Sequence, residues 1–145
     1  WMSMRRDLSS QIFGVRDPDY LIHRYVRHPL YEYQCLAARP YRFGAPVAFA
    51  VVRIVPEQGM EWLDMIGSLA DLPMLAQVVQ RHAYKSNAVR VFGWITASQQ
   101  HRFAALGATI SPTEIIVPAD QWSDNPLPQT QRNRWWLMSG DTDFR

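Results

Sequence analysis

Residues 47–55 read Val-Ala-Phe-Ala-Val-Val-Arg-Ile-Val, a run that is largely apolar on both of the faces that a β-strand presents. Such a strand lies inside a sheet with cover on both sides, because neither face can be left in water. A turn at Glu57 to Gly59 leads into a further strand, Glu61 to Leu69. The sequence therefore predicts that these two strands form the centre of a sheet.

The segments on either side of this pair alternate between helix and strand patterns. Helices are predicted from Asp17 to near Pro29, from Asp71 to Lys85 and from Ser98 to Leu106. Further strands are predicted at Tyr31 to Arg39, Val89 to Thr96, Thr113 to Ala119 and Trp135 to Ser139. The fold class is therefore α/β (α+β): a mixed, mostly antiparallel sheet of six or seven strands, flanked by helices on both faces.

Composition limits the classes of protein that this chain can belong to. Its 145 residues are one domain in size, with a net charge of +2, and Cys35 is the only cysteine. One cysteine cannot form a disulfide or a thiolate zinc site within the chain, and the longest apolar run, Pro46 to Val52, is too short to span a bilayer. The short apolar run argues against a membrane as partner, and the single cysteine fits a cytoplasmic location. The arginines are scattered rather than grouped, so we do not expect a nucleic acid as partner.

Two segments resemble a known family. The stretch from Arg16 to Tyr25 reads Arg-Asp-Pro-Asp-Tyr-Leu-Ile-His-Arg-Tyr, and the stretch from Arg134 to Asp143 reads Arg-Trp-Trp-Leu-Met-Ser-Gly-Asp-Thr-Asp. With the order of elements, they resemble the second module of bacterial two-module proteins of the GNAT superfamily of N-acetyltransferases, often encoded with polysaccharide genes. The resemblance implies that residues 1–145 are a single GNAT-like domain. It also implies an upstream module as partner and the loss of the opening strand and helix.

The resemblance implies acetyl-CoA as a possible cofactor. Enzymes of the family bind its pyrophosphate with backbone N–H groups of a glycine-rich loop before a helix, and Ser68, Leu69 and Ala70 occupy that place here. The alternative is an ordinary capped helix, because the connection has a single glycine. Asp71 would occupy the donors and Pro73 has no N–H.

Candidate catalytic residues are few. Asp64, in the middle of a predicted strand beside Trp62, is the best candidate for the general base, and the alternative is a buried structural carboxylate. The phenol with which the family protonates the departing thiolate is replaced by Phe103, followed by Gly107 at the helix end. Glu61 and Glu114, near strand ends, are expected to be solvated. His82 and His101, on helices, are expected to be packed or exposed, and Cys35 is expected to be a small buried residue of a strand. Their spacing suggests no metal site.

Two classes of function follow. In the first, the chain is an acyl-CoA-dependent N-acetyltransferase-like domain, degenerate or the acceptor-binding half, acting on a small amine or an amino sugar. In the second, it is a non-catalytic module that completes a two-domain protein by structural or protein contacts. The altered loop and the missing phenol favour the second class for this chain.

Overall fold

The fold is built on a four-stranded mixed sheet. A computed structural model describes residues 1–113, 131 and 133–141. Within these residues the strands are β1 (Gln34–Ala38), β2 (Ala48–Val55), β3 (Gly59–Gly67) and β4 (Val91–Phe92), in the spatial order β1-β2-β3-β4. The first three strands are antiparallel and β4 is parallel to β3. The predicted mixed, mostly antiparallel class is therefore confirmed, with β2 and β3 at its centre.

Helices cover both faces of the sheet. They are α1 (Met2–Asp7), α2 (Pro18–Leu21), which continues as a π-helical turn (Ile22–Val26), α3 (Leu72–Lys85) and α4 (Gln100–Ala104). Short 3₁₀ turns lie at Leu69–Asp71, Ala97–Gln99 and Ser139–Asp141. Asp17 caps α2 as predicted, since its Oδ1 accepts the N–H of Tyr20 at 2.8 Å. None of the described helices is long and apolar enough to cross a membrane.

The larger core lies between the sheet and α3. The inward face of α3 repeats at helical spacing, and Leu75 and Val79 are fully buried against β2 and β3. Helix α1 covers the same face with Met4, and α4 contributes Phe103, whose ring meets Trp62 edge to face. Phe103 is thus a core residue, as the sequence predicts.

A smaller core lies on the opposite face. There, the segment from α2 through the π-helical turn packs Tyr25 against Val51, Leu63 and Ile66 of the two central strands. Trp1 contacts both cores. The central strands are therefore covered on both sides, as their composition predicts.

A bulge in β3 decides which way Asp64 points. Trp62 and Asp64 lie opposite adjacent residues of β2, so that Leu63 is one residue more than the pairing needs. Trp62 faces the larger core, and a regular strand would turn Asp64 the same way. The bulge instead turns Asp64 to the smaller core, where Tyr25 donates its hydroxyl to the carboxylate.

The sheet differs from the prediction at its ends. The predicted strand Val89 to Thr96 is reduced to two residues in β4, and the predicted strand Trp135 to Ser139 makes only isolated bridges, from Trp135 to Ile12 and from Met138 to Ile95. The predicted strand Thr113 to Ala119 lies outside the described residues, apart from its first residue. The described sheet thus has four strands, fewer than the six or seven predicted.

We expect Leu75→Ala to lower the free energy of unfolding by about 2–5 kcal/mol, because it leaves a cavity in the larger core. Gln77→Ala, an exposed position on the same helix, is the matched control and should change it by less than about 0.5 kcal/mol. Urea denaturation of both variants measures the difference. Equal effects of the two changes would contradict the placement of α3.

Candidate functional site

Asp64 lies at the centre of a buried polar cluster. Its side chain is 0 % exposed. Oδ1 accepts hydrogen bonds from Arg16 Nε at 2.6 Å and from the backbone N–H of Met65 at 2.9 Å, and Oδ2 accepts the Tyr25 hydroxyl at 3.0 Å. Both carboxylate oxygens are therefore engaged, and an incoming substrate meets Asp64 only if Arg16 or Tyr25 moves away.

Arg16 joins three parts of the chain. Besides the bond to Asp64, its Nη1 donates to the Gly14 carbonyl at 2.9 Å and its Nη2 donates to Asp141 Oδ2 at 2.5 Å. The side chain has no exposed area, so all three nitrogens depend on these partners. A planar guanidinium suits this arrangement because it donates in several fixed directions at once.

The turn Ser139–Asp141 contributes the Asp141 carboxylate to the cluster and, at Gly140, the space that the Tyr25 hydroxyl occupies. Asp141 Oδ2 also accepts the N–H of Met138 at 2.9 Å, which fixes the carboxylate against its own turn. A Cβ at Gly140 would overlap the hydroxyl of Tyr25 and lie 3.0 Å from the Leu63 carbonyl. Glycine at this position therefore lets the tyrosine reach Asp64.

The protonation equilibria of the cluster follow from burial and from its charges. Burial raises the pKa of Asp64 to about 6; the attraction of Arg16 opposes this rise and the repulsion of Asp141 adds to it. Burial opposes the charged form of Arg16, but Asp64 and Asp141 outweigh it and raise the pKa of Arg16. Burial, followed by the charge of Asp64, also raises the pKa of Tyr25 and brings the pKa of Tyr20 to about 12. Both phenols are therefore neutral near neutral pH, and Tyr25 can donate its proton to Asp64.

The connection at Ser68, Leu69 and Ala70, for which the sequence left open a pyrophosphate site or an ordinary capped helix, binds a carboxylate of the same chain. Asp7, at the end of α1, accepts the Ser68 hydroxyl at 2.6 Å and the backbone N–H of Leu69 at 2.8 Å through Oδ2. The Ser68 hydroxyl in turn accepts the N–H of Ala70 at 3.2 Å. The hydrogen bonds from Ser68 and Leu69 lower the pKa of Asp7, so the carboxylate is ionised at neutral pH.

The prediction that Asp71 occupies the donors of this connection is wrong. Asp71 precedes α3 but makes no side-chain capping hydrogen bond. The carboxylate comes instead from Asp7, which is remote in sequence and which local spacing could not indicate. Pro73 does lie in the first turn of α3, as predicted.

Two other predictions about titratable residues are wrong. Glu61, expected to be solvated, is fully buried, and its Oε2 accepts Arg53 Nε at 2.9 Å and Nη2 at 2.8 Å. The Arg53 guanidinium lies 4.7 Å from the ring centroid of Tyr31, a cation–π contact that covers the pair. Cys35, expected to be buried, is exposed on β1.

The remaining candidates are not brought together. His82 makes a hydrogen bond to Gln34, and His101 is exposed on α4. Glu114 lies outside the described residues. Gly107 has a φ of 84°, the left-handed conformation that its position after the helix predicts. In the described residues no three His, Cys, Asp or Glu side chains are grouped so that they could hold a metal ion.

The sequence named Asp64 but not the residues that surround it. Arg16 and Tyr25 lie in the segment from Arg16 to Tyr25 and Asp141 lies in the segment from Arg134 to Asp143, and the structure brings the first segment to Asp64 and the second to Arg16. That shared location is the signal by which they could have been found. Comparison of the chain with protein-family models, with characterised proteins and with solved structures found no match.

We expect Gly140→Ala to lower the melting temperature, because the added methyl displaces Tyr25 at a cost of about 1–3 kcal/mol. Gly44→Ala, whose methyl would lie 3.5 Å from Tyr41 in ordinary contact, is the control. Tyr25→Phe removes the overlapping hydroxyl, so Gly140→Ala should cost less in that background. Additive effects of the two substitutions would show that they do not share this contact.

We expect Asp64→Asn to destabilise the fold by about 1–3 kcal/mol, because the amide NH2 group cannot accept the hydrogen bonds that one of the two carboxyl oxygens accepts. A raised pKa in the folded state gives a stabilising contribution that is complete below the unfolded pKa of 3.8 and is lost as the pH rises through about 6. The stability difference between the wild type and Asp64→Asn should therefore shrink between pH 4 and pH 6. Denaturation at each pH measures this difference. A difference that grows between pH 4 and pH 6 would contradict a raised pKa of Asp64 in the folded protein.

Proposed function

We propose that this chain is a catalytically silent, N-acetyltransferase-like module with a structural or protein-interaction role. The observation that carries the proposal is the Asp7 carboxylate on the donors of Ser68 and Leu69. An acetyl-CoA pyrophosphate would need these donors. It would also have to displace a carboxylate held by two short, charge-assisted hydrogen bonds.

The surroundings of Asp64 support the same proposal. A general base must come within hydrogen-bond reach of the proton that it removes. Asp64 is fully buried and its two oxygens already accept three hydrogen bonds. Phe103 has no hydroxyl and lies in the larger core. The residues that acyl transfer would need are therefore either engaged in the fold or unsuited to the step.

The surface between α2 and β1 supports an interaction role. Within ten residues the chain exposes Ile22, Val26, Leu30 and Tyr31, and Val26 and Leu30 are each more than three-quarters exposed. Exposed apolar side chains mark a surface that contacts another protein where they form one contiguous patch. We propose that an upstream module of the same protein is one such partner.

Acyl transfer from acetyl-CoA to a small amine or an amino sugar is the second candidate. It is favoured by one observation: the Ser68 connection does bind an anion, although the anion is Asp7. On this alternative the Asp7 side chain would withdraw when the cofactor enters. The donors of Ser68, Leu69 and Ala70 would then hold phosphate, and Asp64 would act as the base.

Asp7→Ala separates the two candidates. In the wild type we expect millimolar acetyl-CoA to leave the amide resonances of Leu69 and Ala70 unchanged, because the donors are occupied. In Asp7→Ala, the amide resonance of Leu69, whose N–H is freed, should shift when acetyl-CoA is added, and that of the adjacent Ala70 should shift with it. In the control Glu32→Ala, which removes an exposed carboxylate elsewhere, they should not shift. Neither variant should transfer an acetyl group.

The contrary results are distinct. Shifts at Leu69 and Ala70 in the wild type at micromolar acetyl-CoA, together with acetylation of an amine, would favour the enzyme and overturn the proposal. An unchanged spectrum in Asp7→Ala would show that the connection has no affinity for phosphate even when it is free. In that case Asp7 is not what prevents cofactor binding.

A further inference from the structure

Residues of β1, the edge strand of the described sheet, line a groove. It has a volume of about 640 Å³ and lies between this strand, the last two turns of α3 and residues 39–42. Leu36, Ala37 and Val78 are among the residues that line it and give it an apolar part. Within the described residues β1 pairs only with β2, so the backbone N–H and C=O groups of its other edge have no partner strand there.

The groove is strongly cationic. Four of its lining side chains are basic, Arg39, Arg42, Arg81 and Lys85, and no lining residue is a carboxylate. Two belong to α3 and two to the loop after β1, so that cations of separate elements line one concavity. In the described part of the chain none of the four forms an ion pair.

Stabilisation of the helix end explains only part of this charge. Lys85 lies in the last turn of α3, where a cation interacts favourably with the helix dipole. That effect does not account for Arg39 and Arg42, which are in another segment. Arg39 bonds the Gly44 carbonyl through Nη1 and Arg42 lies over the ring of Phe43, and both contacts leave the positive charge uncompensated.

Strand β1 also lacks the features that keep edge strands from pairing. Natural edges are protected by a charge, a proline or a bulge within the strand. The sequence of β1, Gln-Cys-Leu-Ala-Ala, has neither a charge nor a proline, and its register with β2 is regular over all five residues. The cations lie beside the strand rather than within it. They repel the same cations of a second copy of this edge, but they attract an acidic strand.

We propose that this groove is a docking site for an extended acidic peptide segment, which adds a strand to the free edge of β1. The peptide backbone pairs with the edge, its carboxylates meet the cations of the rim, and its alternate side chains contact Leu36 and Val78. Five residues of strand span about 17 Å at 3.4 Å per residue. The inference rests on the proposed interaction role and gives that role a surface and a partner chemistry.

Two measurements test the proposal. A short synthetic peptide of alternating Glu and Val, titrated by fluorescence anisotropy, should bind, and a peptide of alternating Lys and Val should not. The double variant Arg42→Gln/Arg81→Gln should weaken binding by about tenfold or more, because it removes two charge-assisted contacts. The matched double variant Arg5→Gln/Arg27→Gln, which changes two exposed arginines outside the groove, should leave binding unchanged.

The backbone contribution is tested separately. The same acidic peptide, N-methylated at alternate residues, keeps its charge but cannot pair with the strand edge, and its affinity should fall by about tenfold or more. The acidic peptide should also slow hydrogen exchange at the β1 amides that face the groove. Two results would overturn strand addition and make the groove a small-anion site. One is equal binding of the methylated and unmethylated peptides, and the other is complete displacement of the unmethylated peptide by an equal concentration of inorganic pyrophosphate. Neither result bears on the role of Asp7, so the two proposals fail independently.

Discussion

The hydrogen-bonded charges of Arg16, Asp64 and Asp141 are the interaction on which the other features of this fold depend. A buried guanidinium without carboxylates, or buried carboxylates without it, would be costly, so the three segments that carry them must be held together. The bulge at Leu63 turns Asp64 towards the group, and Gly140 leaves room for the Tyr25 hydroxyl. Both local features thus contribute to the same buried cluster.

The regular part of the fold could be predicted because its information is local. Alternation of apolar residues marks the two central strands, and helical spacing of Leu75 and Val79 marks the inner face of α3. The role of Asp17 as a helix cap follows from its place before a proline. Each of these features depends on residues within one or two turns of one another.

The parts that were missed depend on contacts between distant residues. A strand pattern does not show that Leu63 is bulged, so it could not show which core Asp64 faces. Glu61 is buried because Arg53 lies directly opposite on β2, and that register appears only when the strands pair. Asp7 reaches Leu69 across 62 positions of sequence. Of the candidate site, the sequence therefore predicted Asp64 but not the residues that surround it.

The separation of Arg16 and Asp141 also bears on how the chain is made. These residues are 125 positions apart, and a protein is synthesised from its N-terminus at roughly 5–20 residues per second. Arg16 and Asp64 therefore leave the ribosome several seconds before their third partner exists. Until then Gly140 and Asp141 cannot close over Tyr25, and the smaller core stays open on that side. The nascent domain thus passes through an interval in which its most buried charges are still accessible to water and to chaperones.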